Sequence, residues 1–246
     1  MLNYTRKGSG EVVVLVHGFL GSTSIFDEII EPLTKCFDVI AIDLPGHGKS
    51  EAPEGDYTVY RYAEEIIDIL TLEKVEKSYW IGHSMGGYIT LAAIEKQYTN
   101  IEKAVLLYSS DAPDTPEAIE KRSKQQEEIL GHGVGPFVDG IIENFLAPDA
   151  KAEDVLYAKE VAYEAKVEGL VAALGAMKSR PNQRDLIDTT STPILVIEGE
   201  QDNAVTPIET SNPQVKKVKT NTGHLGMLED SQTVAREILN FLNAKN

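Results

Sequence analysis

The amino-acid sequence predicts an α/β protein with a doubly wound, mostly parallel β-sheet and a helical insertion. Three observations support this fold class. Short apolar runs recur along the 246 residues, helical patterns lie between them, and the alternation stops between residues 111 and 184. Strands that alternate with helices form βαβ units, whose strands are parallel.

Five short runs of apolar, often β-branched residues are predicted as buried strands. Each is apolar at successive positions, as expected of a strand that is covered on both faces. A more polar run at residues 215–219 is also strand-like. Residues 2–6 and a turn at residues 7–10 are predicted to form a hairpin that leads into the first buried strand. The five buried runs are residues 12–16, 37–42, 78–81, 104–108 and 194–197.

Helical periodicity is clear in two of the intervening segments. Residues 63–70 carry apolar side chains at positions i, i+3, i+4 and i+7, and Thr58 is a suitable N-cap upstream. Residues 234–242 repeat this spacing after Ser231. Both segments are therefore predicted as amphipathic helices that pack on the sheet.

Between residues 111 and 184 the sequence has no strand-like run. Thr115 and Pro116 have the N-cap and first-turn chemistry that begins a helix. A Gly- and Pro-containing break at residues 131–136 precedes helical patterns at 137–145 and 152–177. We predict that residues 1–110 and 185–246 form the core and that residues 111–184 form a helical cap. The alternative is a set of ordinary crossover helices.

Composition excludes several classes of partner. The chain has 23 Lys and Arg against 39 Asp and Glu, a net charge of −16, so nucleic acid and anionic membranes are disfavoured partners. The largest basic clusters are the pairs at 121–122 and 216–217.

The single cysteine, Cys36, allows neither an intrachain disulfide nor a cysteine-based metal site. No signal-like or membrane-spanning stretch is present, so we expect a cytoplasmic protein with no membrane insertion.

A Gly-x-Ser-x-Gly motif at residues 82–86 centres on Ser84. It follows a predicted strand and precedes a helix-compatible run, which is the setting of a nucleophile elbow. The glycines are needed because side chains two residues on either side of the serine would collide in so tight a turn. Ser84 is therefore the candidate nucleophile. The alternative is a glycine-rich turn with an incidental serine.

A serine hydroxyl needs a base to take its proton. Among the five histidines, we predict His224 as the base, because it lies in a loop between the last predicted strand and the last helix. His17 and His47 are expected to shape loops, and His83 is expected to point away from its neighbour Ser84. His132 lies in the insertion.

The base needs a carboxylate that orients its ring. Asp202 follows the strand at residues 194–197, so the serine, acid and histidine occur in the order expected of a hydrolase of this topology. Asp111, directly after the strand at residues 104–108, is the main rival. Glu198 and Glu200 are lesser alternatives.

Acyl transfer also needs hydrogen-bond donors for the developing oxyanion. The backbone N–H of Met85, at the beginning of a predicted helix, is one candidate. The N–H of Phe19, in the loop after the first buried strand, is the other. Gly18 beside it lets the chain pass close to the substrate. The side chain of Phe19 is equally compatible with plain packing.

Together these stretches resemble the α/β-hydrolase fold superfamily, in its serine esterase, lipase and lactonase branch. The resemblance implies an eight-stranded, mostly parallel sheet with a helical cap inserted after the sixth strand. Because the N-terminus is short, we expect the first of these strands to be missing here. It also implies a structural, non-catalytic role for residues 43–50, with His47 and Ser50 as local hydrogen-bonding groups. The matching stretches are residues 17–19, 43–50, 82–87, 199–202 and 223–224.

Ser84 at the elbow argues against epoxide hydrolases and haloalkane dehalogenases, which resemble this fold but carry Asp there. Menaquinone-pathway lyases share the Ser-Met-Gly-Gly stretch but usually continue with Arg, where this chain has Tyr88. An apolar acyl pocket is one interpretation of several side chains, and the cap's own core is the other. The pocket candidates are Val134, Phe137, Ile141 and Met177 of the predicted cap, together with Leu20 in the loop after the first buried strand.

The resemblance implies a serine hydrolase that cleaves carboxylic esters with a small to medium apolar acyl group and needs no metal or cofactor. The expected partner is a small-molecule ester. Lactones, thioesters and a carbon–carbon bond beside a carbonyl remain open as alternatives. A second class of function also remains, a small-molecule sensor that keeps the triad and signals through a protein partner. No feature of the sequence indicates an oligomeric state.

Overall fold

The protein is described from a computed structural model, in which residues 2–244 are described. These residues form a sheet of seven strands in the order β1-β3-β2-β4-β5-β6-β7. Only the pair β1 and β3 is antiparallel among the described strands, and the other neighbours are parallel. The strands are β1 (Tyr4–Gly8), β2 (Val12–Val16), β3 (Asp38–Ile42), β4 (Lys77–His83), β5 (Asn100–Leu107), β6 (Ile194–Gly199) and β7 (Val215–Thr220).

The doubly wound, mostly parallel sheet predicted from the sequence is confirmed. Nearly every residue of β2, β3 and β4 is buried, so helices cover both faces of the sheet. Helix α1 packs on α10, and α2 packs on α3. The α-helices before and after the segment 111–184, of which α8 begins at its last residue, are α1 (Asp27–Thr34), α2 (Val59–Leu72), α3 (Met85–Lys96), α8 (Arg184–Thr189), α9 (Gly226–Glu229) and α10 (Ser231–Asn243).

The strand at the N-terminus is not a hairpin partner of β2, and this prediction is wrong. Strand β3 lies between β1 and β2. Four of the five β1 residues are exposed, whereas β2 is apolar and buried. A polar strand is suited to the edge of a sheet and an apolar one to its centre, which explains why β1 is placed outside β3.

The segment of residues 111–184, all of which the structure describes, contains helices and no strand. It follows β5. In an eight-stranded sheet that lacks its first strand, β5 corresponds to the sixth strand, after which the cap was expected. The side chain of Thr115 accepts a hydrogen bond from the N–H of Ala118 and caps the first helix, as predicted. The segment's helices are α4 (Pro116–His132), α5 (Val134–Ile141), a 3-10 helix (Ile142–Phe145), α6 (Ala152–Tyr163) and α7 (Val167–Lys178).

Several contacts hold this helical segment against the loops at the carboxyl ends of the strands. The hydroxyl of Tyr157 donates to the carbonyl of Ser24, at 3.1 Å. The N–H of Lys166 donates to the carbonyl of Gly46, at 2.8 Å. The segment therefore lies against loops at the carboxyl ends of two different strands.

Candidate active site

Ser84 lies at a sharp turn between β4 and α3. Its backbone has φ 51° and ψ −117°, a conformation that residues other than glycine rarely adopt. The N–H of Ser84 donates to the carbonyl of Leu107, and the hydroxyl of Ser109 donates to the carbonyl of Ser84, at 2.9 and 2.8 Å. These bonds hold the strained turn, which leaves the Ser84 side chain at the end of the strand and 8% exposed.

Two glycines provide the space that this turn requires. A Cβ added to Gly82 would lie 2.3 Å from the carbonyl oxygen of Gly86. A Cβ added to Gly86 would lie 2.1 Å from the carbonyl oxygen of Val16. Both distances are too short for real atoms, so a methyl group at either position would push the strand and the helix apart. The steric role expected from the motif is thus visible in the backbone.

His224 and Asp202 form a buried hydrogen-bonded pair. Nδ1 of His224 donates to Oδ2 of Asp202 at 2.8 Å, and the two side chains are 5% and 4% exposed. The other Asp202 oxygen accepts from the N–H of Ala204 at 2.7 Å. In the neutral imidazole a proton on Nδ1 leaves the lone pair on Nε2. Asp202 therefore selects the tautomer in which Nε2 is able to accept a proton.

The loop that carries His224 is attached to both the elbow and the helical segment. The N–H of His224 donates to the carbonyl of Phe145 at 2.7 Å. The carboxylate of Glu229 accepts from the N–H groups of Gly223 and Ala147, at 3.1 and 2.9 Å. Nε2 of His83 donates to the carbonyl of His224 at 2.9 Å. His83 was expected to point away from its neighbour Ser84, but its ring packs against that of His224 and lines the same cavity as Ser84.

The other acids proposed for the pair lie elsewhere. Asp111 is buried, and the N–H of Gln183 donates to its main-chain carbonyl. Burial raises the pKa of the Asp111 carboxyl. Glu198 accepts from the N–H of Ile208 and pairs with Lys217. Within residues 2–244, Asp202 is the acid that contacts the ring of His224.

Two further histidines are buried structural groups. Nδ1 of His17 donates to the carbonyl of the next residue, at 2.7 Å, and its Nε2 accepts from the N–H of Leu44, at 2.9 Å. Nδ1 of His47 donates to the carbonyl of Pro45. Burial lowers the pKa of His47 to about 3 and also lowers that of His17. His132 is exposed at the end of α4.

The loop at residues 43–50 is built around a buried carboxylate. Asp43 accepts from the N–H groups of Thr23 and Lys49 and from the Asn3 side chain, at 2.7, 3.0 and 2.7 Å. Burial by itself would raise the pKa of Asp43, but these donors lower it overall. The hydroxyl of Ser50 donates to the Asp43 carbonyl at 2.6 Å. These hydrogen bonds fix the loop against residues 3 and 23, and none of them involves Ser84, Asp202 or His224.

Ser84 and His224 line one small cavity of about 60 Å³, the inner cavity. Leu20 and Met177, two of the predicted pocket residues, line it, and so does Phe19. Much of the remaining wall is apolar. The additional apolar residues are Ile25, Ile142, Phe145, Ala158, Ala204, Val205 and Leu225.

The other predicted pocket residues have different places. Ile141 lines an adjoining outer cavity of about 230 Å³. Val134 and Phe137 line neither of these cavities. The buried ring of Phe137 packs edge-on against Phe19, with centroids 6.1 Å apart. The apolar side of α5 therefore contributes mainly to packing between the helical segment and the loop after β2.

Two backbone N–H groups beside Ser84 are available as donors. Those of Phe19 and Met85 have no hydrogen-bond acceptor within the part of the chain that the structure describes. Met85 is the first residue of α3, where the N–H groups have no partner inside the helix. A Cβ on Gly18 would lie 2.8 Å from Cβ of Ser84, so the loop of Phe19 passes close to the elbow. The arrangement is able to stabilise an anionic oxygen.

Besides His83, sequence reasoning missed two polar residues of the inner cavity wall. Arg122, from α4, and Tyr88, from α3, both line it. Arg122 was visible in the sequence only as half of a basic pair, and nothing local indicates which side of α4 faces the sheet. Tyr88 was visible only as the residue that replaces an expected arginine.

No metal site or membrane span is evident in residues 2–244. No group of three or more His, Cys, Asp or Glu side chains is arranged to hold a metal ion among these residues. None of the helices described has the length and hydropathy to cross a bilayer.

Comparison with known proteins agrees with this architecture. A family model of the alpha/beta hydrolase fold matches residues 11–138. A thermophilic esterase from Thermogutta terrifontis, determined with malate bound, has a TM-score of 0.90 and 28% sequence identity. The match covers 98% of this chain and 92% of that chain.

Two curated relatives are hydrolases by name. A 2-(acetamidomethylene)succinate hydrolase from Mesorhizobium japonicum is 27% identical over 217 residues, which is 83% of this chain and 76% of that protein. An uncharacterized hydrolase from Bacillus subtilis is 39% identical over 109 residues, 44% of this chain. The chain spans 40% of the length of that second relative.

Proposed function

The chain belongs to the alpha/beta hydrolase fold family, and on that premise we propose that it is a serine hydrolase of carboxylic esters. Ser84 is the nucleophile, His224 the general base and Asp202 the acid that orients it. The substrate is a small-molecule ester with a small to medium apolar acyl group. The reaction uses neither a metal nor a cofactor.

In the proposed mechanism, Nε2 of His224 takes the proton of the Ser84 hydroxyl as its oxygen attacks the ester carbonyl. The N–H groups of Phe19 and Met85 hold the oxyanion. His224 then protonates the departing alcohol, leaving an acyl group on Ser84. Water, deprotonated by His224, attacks this acyl-enzyme and releases the acid. Asp202 remains ionised and stabilises the imidazolium at each step.

One observation carries the proposal. The hydrogen bond from His224 Nδ1 to Asp202 leaves Nε2 free on a ring that lines the same cavity as Ser84. The apolar wall formed by Leu20, Met177 and their neighbours supports an apolar acyl group, and the cavity of about 60 Å³ favours a short one.

The proposal also covers the role of the helical segment and the location of the protein. We propose that residues 111–184 act as a cap over this cavity, because Met177 and Arg122 of that segment contribute to its wall. A cytoplasmic location is supported by a composition with a single cysteine, Cys36. The esterase and hydrolase names of the similar proteins support the reaction class.

The test combines active-site labelling with a substrate panel. Three proteins are treated with a fluorophosphonate, and their masses are measured by mass spectrometry. They are the wild type, Ser84→Ala and the control Ser211→Ala, which changes an exposed loop serine. Hydrolysis is measured on nitrophenyl esters of increasing acyl length, a lactone and a thioester. We expect labelling of wild type and Ser211→Ala alone, with the highest kcat/KM on short acyl esters.

Other outcomes would change the assignment. Retained hydrolysis in folded Ser84→Ala would exclude Ser84 as the nucleophile. Faster turnover of the lactone or the thioester than of any nitrophenyl ester would assign the protein to lactone or thioester hydrolysis instead. Labelling of Ser84 without steady-state turnover of any substrate would favour the alternative function, a small-molecule sensor that signals through a protein partner.

A further inference from the structure

We propose that Arg122 and Tyr88 form a carboxylate-binding site beside Ser84, which selects esters whose alcohol part carries a negative charge. This inference rests on the proposed function and adds a substrate class to it. The scissile bond lies at Ser84, the apolar acyl group occupies the inner cavity, and the carboxylate of the substrate lies at the outer cavity.

The first support is a surplus of positive charge. Nε of Arg122 and Nη1 of Arg180 each donate to the carboxylate of Asp114, both at 2.5 Å. The three side chains are 21%, 7% and 3% exposed, respectively. Two guanidinium groups thus share one carboxylate, and the cluster has a net charge of +1. A buried surplus charge is costly unless a counter-ion meets it.

Unused donors provide the second support. Arg122 uses Nε and Nη2 for its hydrogen bonds to Asp114. Its third nitrogen, Nη1, has no acceptor within residues 2–244. Tyr88 is 2% exposed, and its hydroxyl makes no hydrogen bond to the residues described. A guanidinium edge and a phenol are a suitable pair of donors for a carboxylate.

The positions of these donors connect them to the proposed nucleophile. Arg122 and Tyr88 line both the inner cavity, which contains Ser84 and His224, and the outer cavity. An ester seated at Ser84 therefore extends past both donors as it leaves the inner cavity. The guanidinium of Arg180 packs 4.4 Å from the ring centroid of Tyr88 and fixes the orientation of that ring.

The charge of the outer cavity differs from that of the whole protein. Among the lining residues described, its wall carries three cations, Lys121, Arg122 and Arg180, against one carboxylate, Asp114. The chain as a whole has a net charge of −16. A local positive wall on an acidic protein concentrates anions at that place.

A purely structural role for the cluster makes a different prediction. Arg180 by itself already balances Asp114, and its remaining hydrogen bonds are to the carbonyls of Ala112 and Met177. If Arg122 only stabilised the fold, its removal would lower the stability and would affect charged and neutral substrates equally.

The experiment compares matched substrates and variants. Acetate release is measured from 4-acetoxybutanoate and from its neutral amide, 4-acetoxybutanamide. A charge-assisted hydrogen bond of about 1.5–3 kcal/mol corresponds to roughly a 10- to 150-fold higher kcat/KM for the acid. We expect Arg122→Gln to bring this ratio close to one and Arg122→Lys to restore part of it. Lys124→Gln, which removes an exposed charge on the same helix, should leave the ratio unchanged.

A second measurement does not depend on turnover. The rate at which a fluorophosphonate labels Ser84 is measured with glutarate or with its diamide as competitor. Glutarate should protect wild type and Lys124→Gln but not Arg122→Gln, and the diamide should protect none. Equal protection by acid and amide, or equal kcat/KM for both esters in wild type, would overturn the carboxylate site while leaving the proposed hydrolase intact. Failure of Ser84 to label at all contradicts the proposed function itself.

Discussion

Nε2 of His83 donates a hydrogen bond to the carbonyl oxygen of His224 at 2.9 Å, and the two ring centroids are 5.0 Å apart. The residue before the elbow serine thus holds the backbone of the proposed base, although 141 positions separate them. Because a carbonyl only accepts, the proton of His83 lies on Nε2. Burial, and then the nearby His224, keep the pKa of His83 well below its usual value.

From this contact we predict that His83 is a positioning residue. His83→Ala should lower kcat by about 10-fold or more with little change in KM, because the ring of His224 loses its support and small displacements are costly in catalysis. His83→Gln, which keeps an amide donor, should recover part of the loss. Steady-state kinetics on a short nitrophenyl ester provides the measurement. An unchanged kcat in folded His83→Ala would show that the contact is dispensable.

Matched Asn variants of Asp202 and Asp111 test which of the two aspartates orients His224. Asp202→Asn should reduce kcat by roughly 10³- to 10⁴-fold, since the amide no longer selects the Nδ1–H tautomer or stabilises the imidazolium. Asp111→Asn should retain most of the activity, because Asp111 does not contact His224. Rates are compared on one ester at pH 8, after circular dichroism shows that both variants fold. A larger loss in Asp111→Asn would reverse the assignment.

Close packing at the elbow predicts a strong effect of one methyl group. Gly86→Ala should lower the free energy of unfolding by at least about 2 kcal/mol, because the new Cβ meets the carbonyl of Val16. Gly140→Ala is the control, since its Cβ would have open space on α5, and it should raise stability by about 0.5–1 kcal/mol. Urea unfolding measures both. Equal stability of the two variants would contradict the packing argument.

Stability should fall as the pH drops below about 6.5. Burial is the largest cause of the lowered pKa values of His17, His47 and His83, so in this range the unfolded chain binds protons that the folded chain does not. Each such group contributes about 1.4 kcal/mol per pH unit below the unfolded pKa, until its folded pKa is reached. For His47 that lower limit is about 3.

Variants separate the buried histidines from the exposed one. Urea unfolding between pH 7.5 and 5 should show a slope in His47→Gln that is smaller than that of wild type, by about one proton near pH 5. His132→Gln should leave the slope unchanged, because His132 is exposed. If His47→Gln keeps the wild-type slope, His47 does not contribute in this range.

The sequence was most informative where the signal is local. Strand β2 was predicted with its observed bounds, because an unbroken apolar run is compatible only with a buried element. The cap of α2 by Thr58 is likewise confirmed, since its hydroxyl accepts from the N–H three residues later. The turn at Ser84 was predictable because its glycines are required by contacts between neighbours in the chain.

Long-range placement could not be derived in the same way. The pairing of β1 with β3 depends on which strand edge remains free, a property of the assembled sheet. The failure of Val134 and Phe137 to line the inner cavity depends on how α5 is rotated against the loop of Phe19. An apolar residue on a helix contributes to a core or a pocket according to what lies opposite, and the sequence does not contain that information.

By itself, the sequence determined the fold class, the candidate nucleophile and a short set of candidate bases and acids, because each depends on spacing along the chain. The tertiary structure decided that Asp202, not Asp111, contacts His224, and that Arg122 and Tyr88 lie in the wall beside Ser84. The physical reason is that hydrogen bonds and charge interactions act over a few ångströms in space. Only folding brings residues from β4, α4 and the last loops to that distance.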